Sequence, residues 1–429
     1  MYELVIIGAG WAGFNAAIKA KELGLKTILI EKSRIGGTCL NHGCIPTKAL
    51  IQSAKVLHTI RKSSDFGIKT ESAQPDFIKI QERKDLLIRQ LASGMNFMLK
   101  GIDYLQAEAQ IVSAQLVLAG EKEIPARAIL IASGSYPAEL SNIKFDHRRI
   151  ISSDEILEYK SIPRDLLIIG AGAVGCEFAS FFSSMGSAVT IAEKMPQLLP
   201  GFDQELSRRL LLIFKKAGIQ VELGADAASL LSRPYELVLL CVGRSPVIKG
   251  LGLEGLSIGC QGKAIVTDDY LRTKIPGIFA AGDCTAKIML AHFAAYQGSL
   301  AAMNIAYPDS MKPVDPMAVP GCVFTDPEIA YVGIGEEEAR AKGIGIKVHR
   351  FDFLSSAMAR ILDETGGFIK IIEDTGCAKI LGASIIGPRA TELIGILSLA
   401  VESGLSVNQV KQAIFAHPTL SEGIGEALR

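Results

Sequence analysis

The sequence predicts an α/β protein in which one parallel-sheet unit occurs twice and is followed by a separate α+β domain. Residues 4–32 read LVIIGAGWAGFNAAIKAKELGLKTILIEK, and residues 166–194 read LLIIGAGAVGCEFASFFSSMGSAVTIAEK; they align without a gap. Each copy predicts a buried strand, a glycine turn, a helix of about 12 residues and a second strand ending in an acid. Beyond the proline-rich segment 306–320, strands near 323–332, 346–352, 367–373 and 378–387 alternate with helices, which predicts the α+β domain.

The composition excludes several classes of function. Lys plus Arg and Asp plus Glu both number 45, so no net field attracts nucleic acid or an anionic membrane. The apolar stretch around 166–192 is split by Glu177 and by glycines, and it does not predict a transmembrane helix. The N-terminus has no basic segment before its apolar run, so no secretory signal is predicted. We therefore expect a cytoplasmic protein.

Two of the eight cysteines, Cys39 and Cys44, are close in sequence. No cysteine and histidine cluster has the spacing of a zinc site, so we predict no bound metal. Scattered cysteines in a long cytosolic chain are usually reduced and buried, whereas a close pair favours redox catalysis. Two buried thiols, or a metal site that lacks its other ligands, remain alternative interpretations of the pair.

The first glycine turn predicts a dinucleotide site. Gly8 permits the tight turn, Gly10 lets the backbone approach a pyrophosphate, and Gly13 lets the helix pack on the strand. The helix N-terminus then faces the phosphates with its partial positive charge. Glu31 ends the second strand at about the spacing expected for an acid that binds a ribose diol.

The second copy predicts a second dinucleotide site, with Gly170, Gly172, Gly175 and Glu193 in the matching positions. Two such sites in one chain indicate two cofactors that exchange electrons. A carboxylate at Glu193 accepts hydrogen bonds from a 2′-hydroxyl and repels a 2′-phosphate, which favours NAD over NADP. The adjacent Lys194, which is able to pair with a phosphate, weakens that preference slightly.

The segment GGTCLNHGCIPTK, residues 36–48, carries the cysteine pair shortly after Glu31. Pro46 suits the first turn of a helix, so Cys44 is expected near a helix N-terminus, where the dipole favours a thiolate. Lys48 follows one helical turn later and places a cation near the thiolate or a cofactor.

This segment resembles the redox-active signature of the pyridine nucleotide-disulfide oxidoreductases, and the resemblance covers nearly the whole chain. GAGAVGCEF (170–178) is similar to that family's second nucleotide motif, and AAGDC (280–284) to its flavin-ribityl motif. MLAH (289–292) resembles the stretch beneath the flavin, and VFTDPEIAYVG (323–333) the start of the dimerisation domain. HPTLSE (417–422) is similar to the family's catalytic His–Glu motif. The fold implied is two Rossmann-like dinucleotide-binding domains, for FAD and NAD, plus a C-terminal dimerisation domain.

The resemblance implies a role for each matched residue. Cys44 would face the flavin and form a charge-transfer pair with it when reduced, and Cys39 would exchange with the substrate. Lys48 would pair with Glu177 near the flavin. His417, oriented by Glu422 and supplied across a homodimer, would be the acid–base group. An imidazole is suited to this because thiol–disulfide exchange requires a thiolate and hence a proton acceptor.

The resemblance also implies two sets of cofactor-binding residues. For FAD they are Gly8, Gly10, Gly13, Glu31, Lys32, Gly37, Thr38, Lys48, Ala109, Ser133, Gly134, Asp283, Met289, Leu290 and Ala291. For NAD they are Gly170, Gly172, Gly175, Glu193 and Gly243.

Within the family, HPTLSE and CIPTK are more similar to dihydrolipoamide dehydrogenases than to glutathione reductases. The implied reaction is oxidation of dihydrolipoamide, free or on a lipoyl domain, by NAD⁺, with a 2-oxoacid dehydrogenase complex as a further partner. The alternatives are a reductase of another low-molecular-weight disulfide, such as a glutathione-like one, and a non-catalytic component of an acyltransferase complex. A flavin NADH oxidase is disfavoured because those enzymes generally use one cysteine.

We predict three domains from these motifs. An FAD-binding domain covers residues 1–146 and 272–315, an NAD-binding domain covers 147–271, and an interface domain covers 316–429. The chain departs from the family pattern at Trp11-Ala12, where Pro-Gly is usual, and in shorter loops after residues 102 and 219.

Overall fold

The computed structural model describes residues 1–256 and 258–429. The strands are, in chain order, β1 (Tyr2–Ile7), β2 (Thr27–Glu31), β3 (Asp103–Gln106), β4 (Ala109–Ser113), β5 (Leu116–Ala119), β6 (Lys122–Ile131), β7 (Ser135–Pro137), β8 (Ile150–Ser152), β9 (Asp165–Ile169), β10 (Ala188–Glu193), β11 (Gln220–Leu223), β12 (Leu237–Leu240), β13 (Arg244–Pro246), β14 (Cys260–Gln261), β15 (Ala264–Ile265), β16 (Ile278–Ala280), β17 (Gly321–Val323), β18 (Glu328–Gly333), β19 (Ile346–Asp352), β20 (Phe368–Asp374) and β21 (Ile380–Gly387). The α-helices are α1 (Trp11–Glu22), α2 (Gly37–Asn41), α3 (Cys44–Arg61), α4 (Phe77–Met98), α5 (Ala173–Met185), α6 (Gln204–Lys216), α7 (Ala227–Leu230), α8 (Ala291–Ala306), α9 (Glu336–Ala341), α10 (Ala357–Ile361), α11 (Ala390–Glu402), α12 (Val407–Lys411) and α13 (Glu422–Ala427).

The chain divides into two compact units. Unit 1 comprises Met1–Ala49, Ile78–Ala138 and Gly243–Val314. Unit 2 comprises Leu50–Phe77, Glu139–Val242 and Asp315–Arg429. The boundaries of the three domains expected from the sequence stay predictions.

The sheet of unit 1 has the parallel order β3–β2–β1–β6–β16, and β4 and β5 extend it as an antiparallel meander from the first half of β6. Both faces of its central strands are covered, which explains the continuous apolar run of β1. Leu4, Val5 and Ile6 are fully buried there. Helix α1 packs against α8, the first α-helix after β16.

Unit 2 contains the second copy of the repeat. Its parallel sheet has the order β11–β10–β9–β12–β8, so β9, α5 and β10 correspond to β1, α1 and β2 of unit 1. The duplicated α/β fold predicted from the sequence is therefore confirmed. In unit 2, the shortened loop after residue 219 contains the short helix α7 and its flanking turns.

The C-terminal part of unit 2 is the predicted α+β structure. Its antiparallel sheet has the order β17–β18–β21–β20–β19, with α11 packed on β18 and β21. The single strand expected near 323–332 is instead two strands, β17 and β18. The turn between them contains Pro327, which has no N–H to continue a ladder. Within the described residues, no helix is long and apolar enough to cross a membrane.

A glycine on α8 sets how closely that helix approaches α1. A Cβ added to Gly298 would lie 2.0 Å from the carbonyl oxygen of Ala12, a backbone atom that has little freedom to move. We expect Gly298→Ala to lower the free energy of unfolding by about 2 kcal/mol or more through overpacking. Chemical denaturation of the purified protein measures this.

The matched control is Gly94→Ala on α4, where an added Cβ meets nothing within 4 Å. We expect it to stabilise the protein by about 0.5 kcal/mol, because alanine has the higher helix propensity. Equal effects of the two substitutions would contradict the packing described here.

Candidate active site

The two glycine turns have the same backbone conformation. Gly8 and Gly170 both have φ of 104°, a value that side-chain-bearing residues rarely adopt. A Cβ on Gly13 would lie 1.8 Å from the carbonyl oxygen of Gly8, and one on Gly175 would lie 2.0 Å from that of Gly170. The glycines are therefore required by close packing of helix on strand in both copies.

The acids that end β2 and β10 also make the same contacts. Oε2 of Glu31 accepts the N–H of Ala9 at 2.7 Å, and Oε2 of Glu193 accepts the N–H of Ala171 at 2.7 Å. In each case Oε1 accepts the N–H two residues further along the chain, at 2.8 Å. The acids brace the glycine turns, a role that the sequence did not predict, and their carboxylates retain lone pairs for ribose hydroxyls.

The first turn fits the pyrophosphate of FAD. Helix α1 starts after Gly10 without a side-chain cap among the described residues, so its N-terminal N–H groups are suited to an anion. A Cβ on Gly37 would lie 2.7 Å from the Cα of Gly10, so side chains there would fill the cradle between the turn and α2. Thr38 is the next residue of α2, and Lys32 is exposed just after β2.

The second turn fits the pyrophosphate of NAD(H). Helix α5 starts after Gly172, again without a side-chain cap in the described part of the chain. A Cβ on Gly172 would meet nothing within 4 Å, so the backbone at this position is open to a ligand. Glu193 is buried beside this turn, and Gly243 lies where the chain leaves unit 2, at φ 109°.

The structure brings the two cysteine sulfurs into hydrogen-bonding contact. Cys39 lies on the single-turn helix α2, and Cys44 is the first residue of α3, as expected from Pro46. The hydrogen bond with Cys44 raises the pKa of the Cys39 thiol, and burial raises it further. Both effects disfavour loss of the Cys39 proton while Cys44 lies beside it.

Two other groups act on Cys39 in the opposite direction. The indole N–H of Trp11 and the positive charge of Lys48 both lower the pKa of the Cys39 thiol. Lys48 lies one turn after Cys44 on α3, as the sequence predicted. The Cys39 sulfur therefore lies close to Cys44, which disfavours its negative charge, and to Trp11 and Lys48, which favour it.

His417 and Glu422 are joined as the sequence predicted. Nδ1 of His417 lies 2.8 Å from Oε1 of Glu422, and Oε2 of Glu422 accepts the N–H of Thr419 at 2.8 Å. The Thr419 N–H and then the imidazole hold the pKa of the Glu422 carboxyl below its usual value. The carboxylate therefore holds the imidazole ring through Nδ1 rather than Nε2. The imidazole is largely exposed.

Glu177 is buried on α5, where Oε1 accepts the N–H of Phe324 at 2.9 Å. The contact ties the helix of the second nucleotide motif to the residue after β17 within unit 2. The expected pairing of Glu177 with Lys48 joins residues of different units and stays a prediction.

A hydrogen-bonded chain that the sequence did not predict surrounds Asp283. Oγ of Ser135 donates to the Asp283 carboxylate at 2.5 Å and accepts from Nε of Arg244 at 2.8 Å. Nη2 of Arg244 also donates to Oγ1 of Thr38 at 3.2 Å. Arg244 therefore links the predicted flavin motif to the residue before Cys39. The one sequence signal for it is that a charged residue directly follows Gly243.

The remaining predicted FAD contacts are spread over unit 1. Oγ of Ser133 donates to the carbonyl of Val247 at 2.7 Å. The others lie just after β6, at the start of β4 and at the start of α8, and are Gly134, Ala109, Met289, Leu290 and Ala291. Their roles stay predictions.

A cavity of about 380 Å³ in unit 2 lies apart from these groups. It is lined by the loop after β10, including Met195 and Phe202, and by Tyr331 and Glu337. None of the predicted site residues lines it. The nucleotide turns and the cysteine pair therefore lie outside this cavity.

The contact between the sulfurs predicts a pH effect. We expect Cys44→Ala to lower the pKa of Cys39, because the substitution removes the hydrogen bond and the negative charge that raise it. The pH midpoint for iodoacetamide alkylation of Cys39, followed by peptide mass spectrometry in the reduced protein, should move down by about one unit or more. Cys377→Ala, at an exposed cysteine, is the control. An unchanged or raised midpoint would contradict the contact.

The chain matches two family models. Residues 2–298 match "Pyridine nucleotide-disulphide oxidoreductase", and residues 319–428 match the dimerisation domain of the same family. A dihydrolipoyl dehydrogenase of Bacillus subtilis is 36% identical over 461 residues, covering 99% of this chain and 97% of the relative. One from Chlamydia muridarum is 37% identical over 442 residues, covering 98% and 95%.

Two solved structures are similar to this chain over nearly its whole length. LpdA from Mycobacterium tuberculosis superposes with a TM-score of 0.92 at 27% identity, covering 100% of this chain and 99% of that one. The HOCl-induced flavoprotein disulfide reductase RclA from Escherichia coli superposes with a TM-score of 0.88 at 27% identity, with the same coverage. The chain therefore belongs to the pyridine nucleotide-disulphide oxidoreductase family and is a flavoprotein disulfide oxidoreductase that uses FAD and NAD(H).

Proposed function

We propose that the protein oxidises dihydrolipoamide with NAD⁺ through a disulfide between Cys39 and Cys44. The observation that carries this proposal is the contact between the two sulfurs, beside the FAD-type glycine turn and with Trp11 and Lys48 nearby. The substrate assignment is supported by the dihydrolipoyl dehydrogenases that are 35–37% identical to nearly the whole chain.

The proposed exchange starts with the disulfide oxidised. A substrate thiolate attacks the Cys39 sulfur, the bond between Cys39 and Cys44 breaks, and Cys44 leaves as a thiolate. Lys48 and the N-terminus of α3 stabilise that negative charge. The second substrate thiolate then attacks the substrate sulfur bonded to Cys39, so that oxidised lipoamide leaves and Cys39 is released.

His417 is the proposed base and acid for both substrate thiols. Its Nε2 takes the proton of the first substrate thiol and releases it to solvent, then takes the proton of the second thiol and passes it to the Cys39 sulfur, while Glu422 fixes the ring through Nδ1. Bound FAD would supply the redox chemistry that couples the two electrons of the reduced cysteine pair to NAD⁺. Residues of the two glycine turns would hold the dinucleotides. Glu193 would accept hydrogen bonds from the ribose hydroxyls of NAD and would repel a 2′-phosphate.

We further infer that the protein is a cytoplasmic homodimer in which each subunit supplies His417 to the other. A match of residues 319–428 to the family's dimerisation domain supports the homodimer. A lipoyl domain of a 2-oxoacid dehydrogenase complex is the natural carrier of such a substrate. The three domains, at 1–146 with 272–315, 147–271 and 316–429, are proposed on the same basis.

A second candidate function is reduction of another disulfide, because the protein also superposes on the disulfide reductase RclA. One set of assays separates the two. The holoenzyme is given dihydrolipoamide with NAD⁺, and separately glutathione disulfide and a panel of small disulfides with NADH or NADPH. We expect the highest kcat/KM for dihydrolipoamide with NAD⁺. A higher value for any other disulfide would contradict the proposal.

Substitution of the cysteines tests the route. We expect Cys44→Ser to lower turnover of dihydrolipoamide by at least about 1000-fold, because residues that act as one catalytic unit lose activity together. Cys260→Ser, at an exposed cysteine of unit 1, should retain wild-type turnover. Wild-type turnover in Cys44→Ser would exclude the mechanism.

A further inference from the structure

Trp11 is the single tryptophan of the chain and stands at the first position of α1. It follows Gly10, the glycine whose Cα closely approaches Gly37 of the redox helix. Because Gly37 is two residues before Cys39, this approach brings the start of α1 beside the cysteine pair. The side chain is half-buried and packs on the core that includes Leu40.

The indole nitrogen of Trp11 is buried and unsatisfied. Nε1 is closed to solvent and makes no hydrogen bond of normal geometry with the described residues. It lies close enough to the sulfur of Cys39 to lower the pKa of that thiol, so this sulfur is an acceptor within its reach. A neutral thiol is a weak acceptor, whereas a thiolate is a strong one, and a buried donor without a partner costs free energy. The unsatisfied N–H therefore favours the state in which Cys39 is negatively charged.

We propose that the indole N–H of Trp11 donates a hydrogen bond to the Cys39 sulfur when that sulfur becomes a thiolate, and so promotes release of the oxidised product. This inference rests on the proposed function. In the release step, the second substrate sulfur bonds to the first and the bond between the first sulfur and Cys39 breaks. The electron pair of the broken bond stays on the Cys39 sulfur, which then takes a proton from the His417 imidazolium.

A donor aimed at that sulfur acts where the charge develops. A leaving thiolate that is better stabilised departs faster, and a donor already in place requires no reorganisation. Cys44 and Lys48 on α3 face the same sulfur, the first raising its pKa and the second lowering it. Trp11 differs from both because its contribution comes from a neutral, directional N–H.

The test removes the N–H and keeps an aromatic ring. We expect Trp11→Phe to lower kcat for dihydrolipoamide about tenfold, the effect of losing a hydrogen bond to a charged group. In the Cys44→Ala background, the same substitution should raise the pH midpoint of Cys39 alkylation by about one unit, since it removes a group that stabilises the thiolate. Tyr307→Phe, an exposed aromatic residue of unit 1, should leave that midpoint unchanged.

A second measurement leaves the tryptophan in place and so does not depend on the folding of a Trp11 variant. In Cys44→Ala, tryptophan emission should change with pH at the same midpoint as Cys39 alkylation. The change should be absent in a protein that carries both Cys39→Ala and Cys44→Ala. Emission that is flat across the Cys39 titration would overturn the proposal. Equal alkylation midpoints in the Cys44→Ala proteins with and without Trp11→Phe would overturn it as well.

The two hypotheses fail in different ways. A wild-type enzyme that does not turn over dihydrolipoamide would overturn the proposed function. The alkylation and emission measurements need no substrate, so they decide the role of Trp11 in either case.

Discussion

The close approach of Gly10 to Gly37 is the contact on which the active site of unit 1 depends. The absence of a side chain at Gly37 lets the first glycine turn meet the helix that carries Cys39, because a Cβ there would lie 2.7 Å from the Cα of Gly10. The same contact shapes the cradle that we assign to the FAD pyrophosphate and brings the start of α1 to the cysteine pair. One backbone approach therefore sets both the cofactor site and the surroundings of the reacting sulfur.

The two glycine turns have the same local structure, although we assign them to two different cofactors. In both copies a glycine at φ 104° follows the first strand. An acid at the end of the second strand accepts the N–H of the residue after that glycine. The carboxylates therefore fix the turn before any ligand binds, which reduces the ordering that binding requires. The cysteine segment follows only the first copy, so the chain has two glycine turns of this kind and one close cysteine pair.

Much of this could be predicted from the sequence because the signals are local. The glycine spacing, the acids at 31 and 193, the helix start at Cys44 and the pairing of His417 with Glu422 each involve residues that are close in sequence or part of a repeat. Arg244 and Ser135 are 109 residues apart and meet because β7 pairs with β13. No local sequence pattern predicts that these two residues form a hydrogen bond. The same holds for the indole of Trp11 and the sulfur of Cys39, because the sequence marks that tryptophan only as a departure from the family pattern.

The central claim is that the electrons of the substrate enter through Cys39 and Cys44. The most direct test is to add one equivalent of dihydrolipoamide anaerobically to the oxidised holoenzyme, without NAD⁺, and then to alkylate and map all eight cysteines. The account predicts that Cys39 and Cys44 become newly alkylated, relative to the untreated enzyme, and that the other six do not change. New thiols elsewhere, or none at this pair, would contradict it.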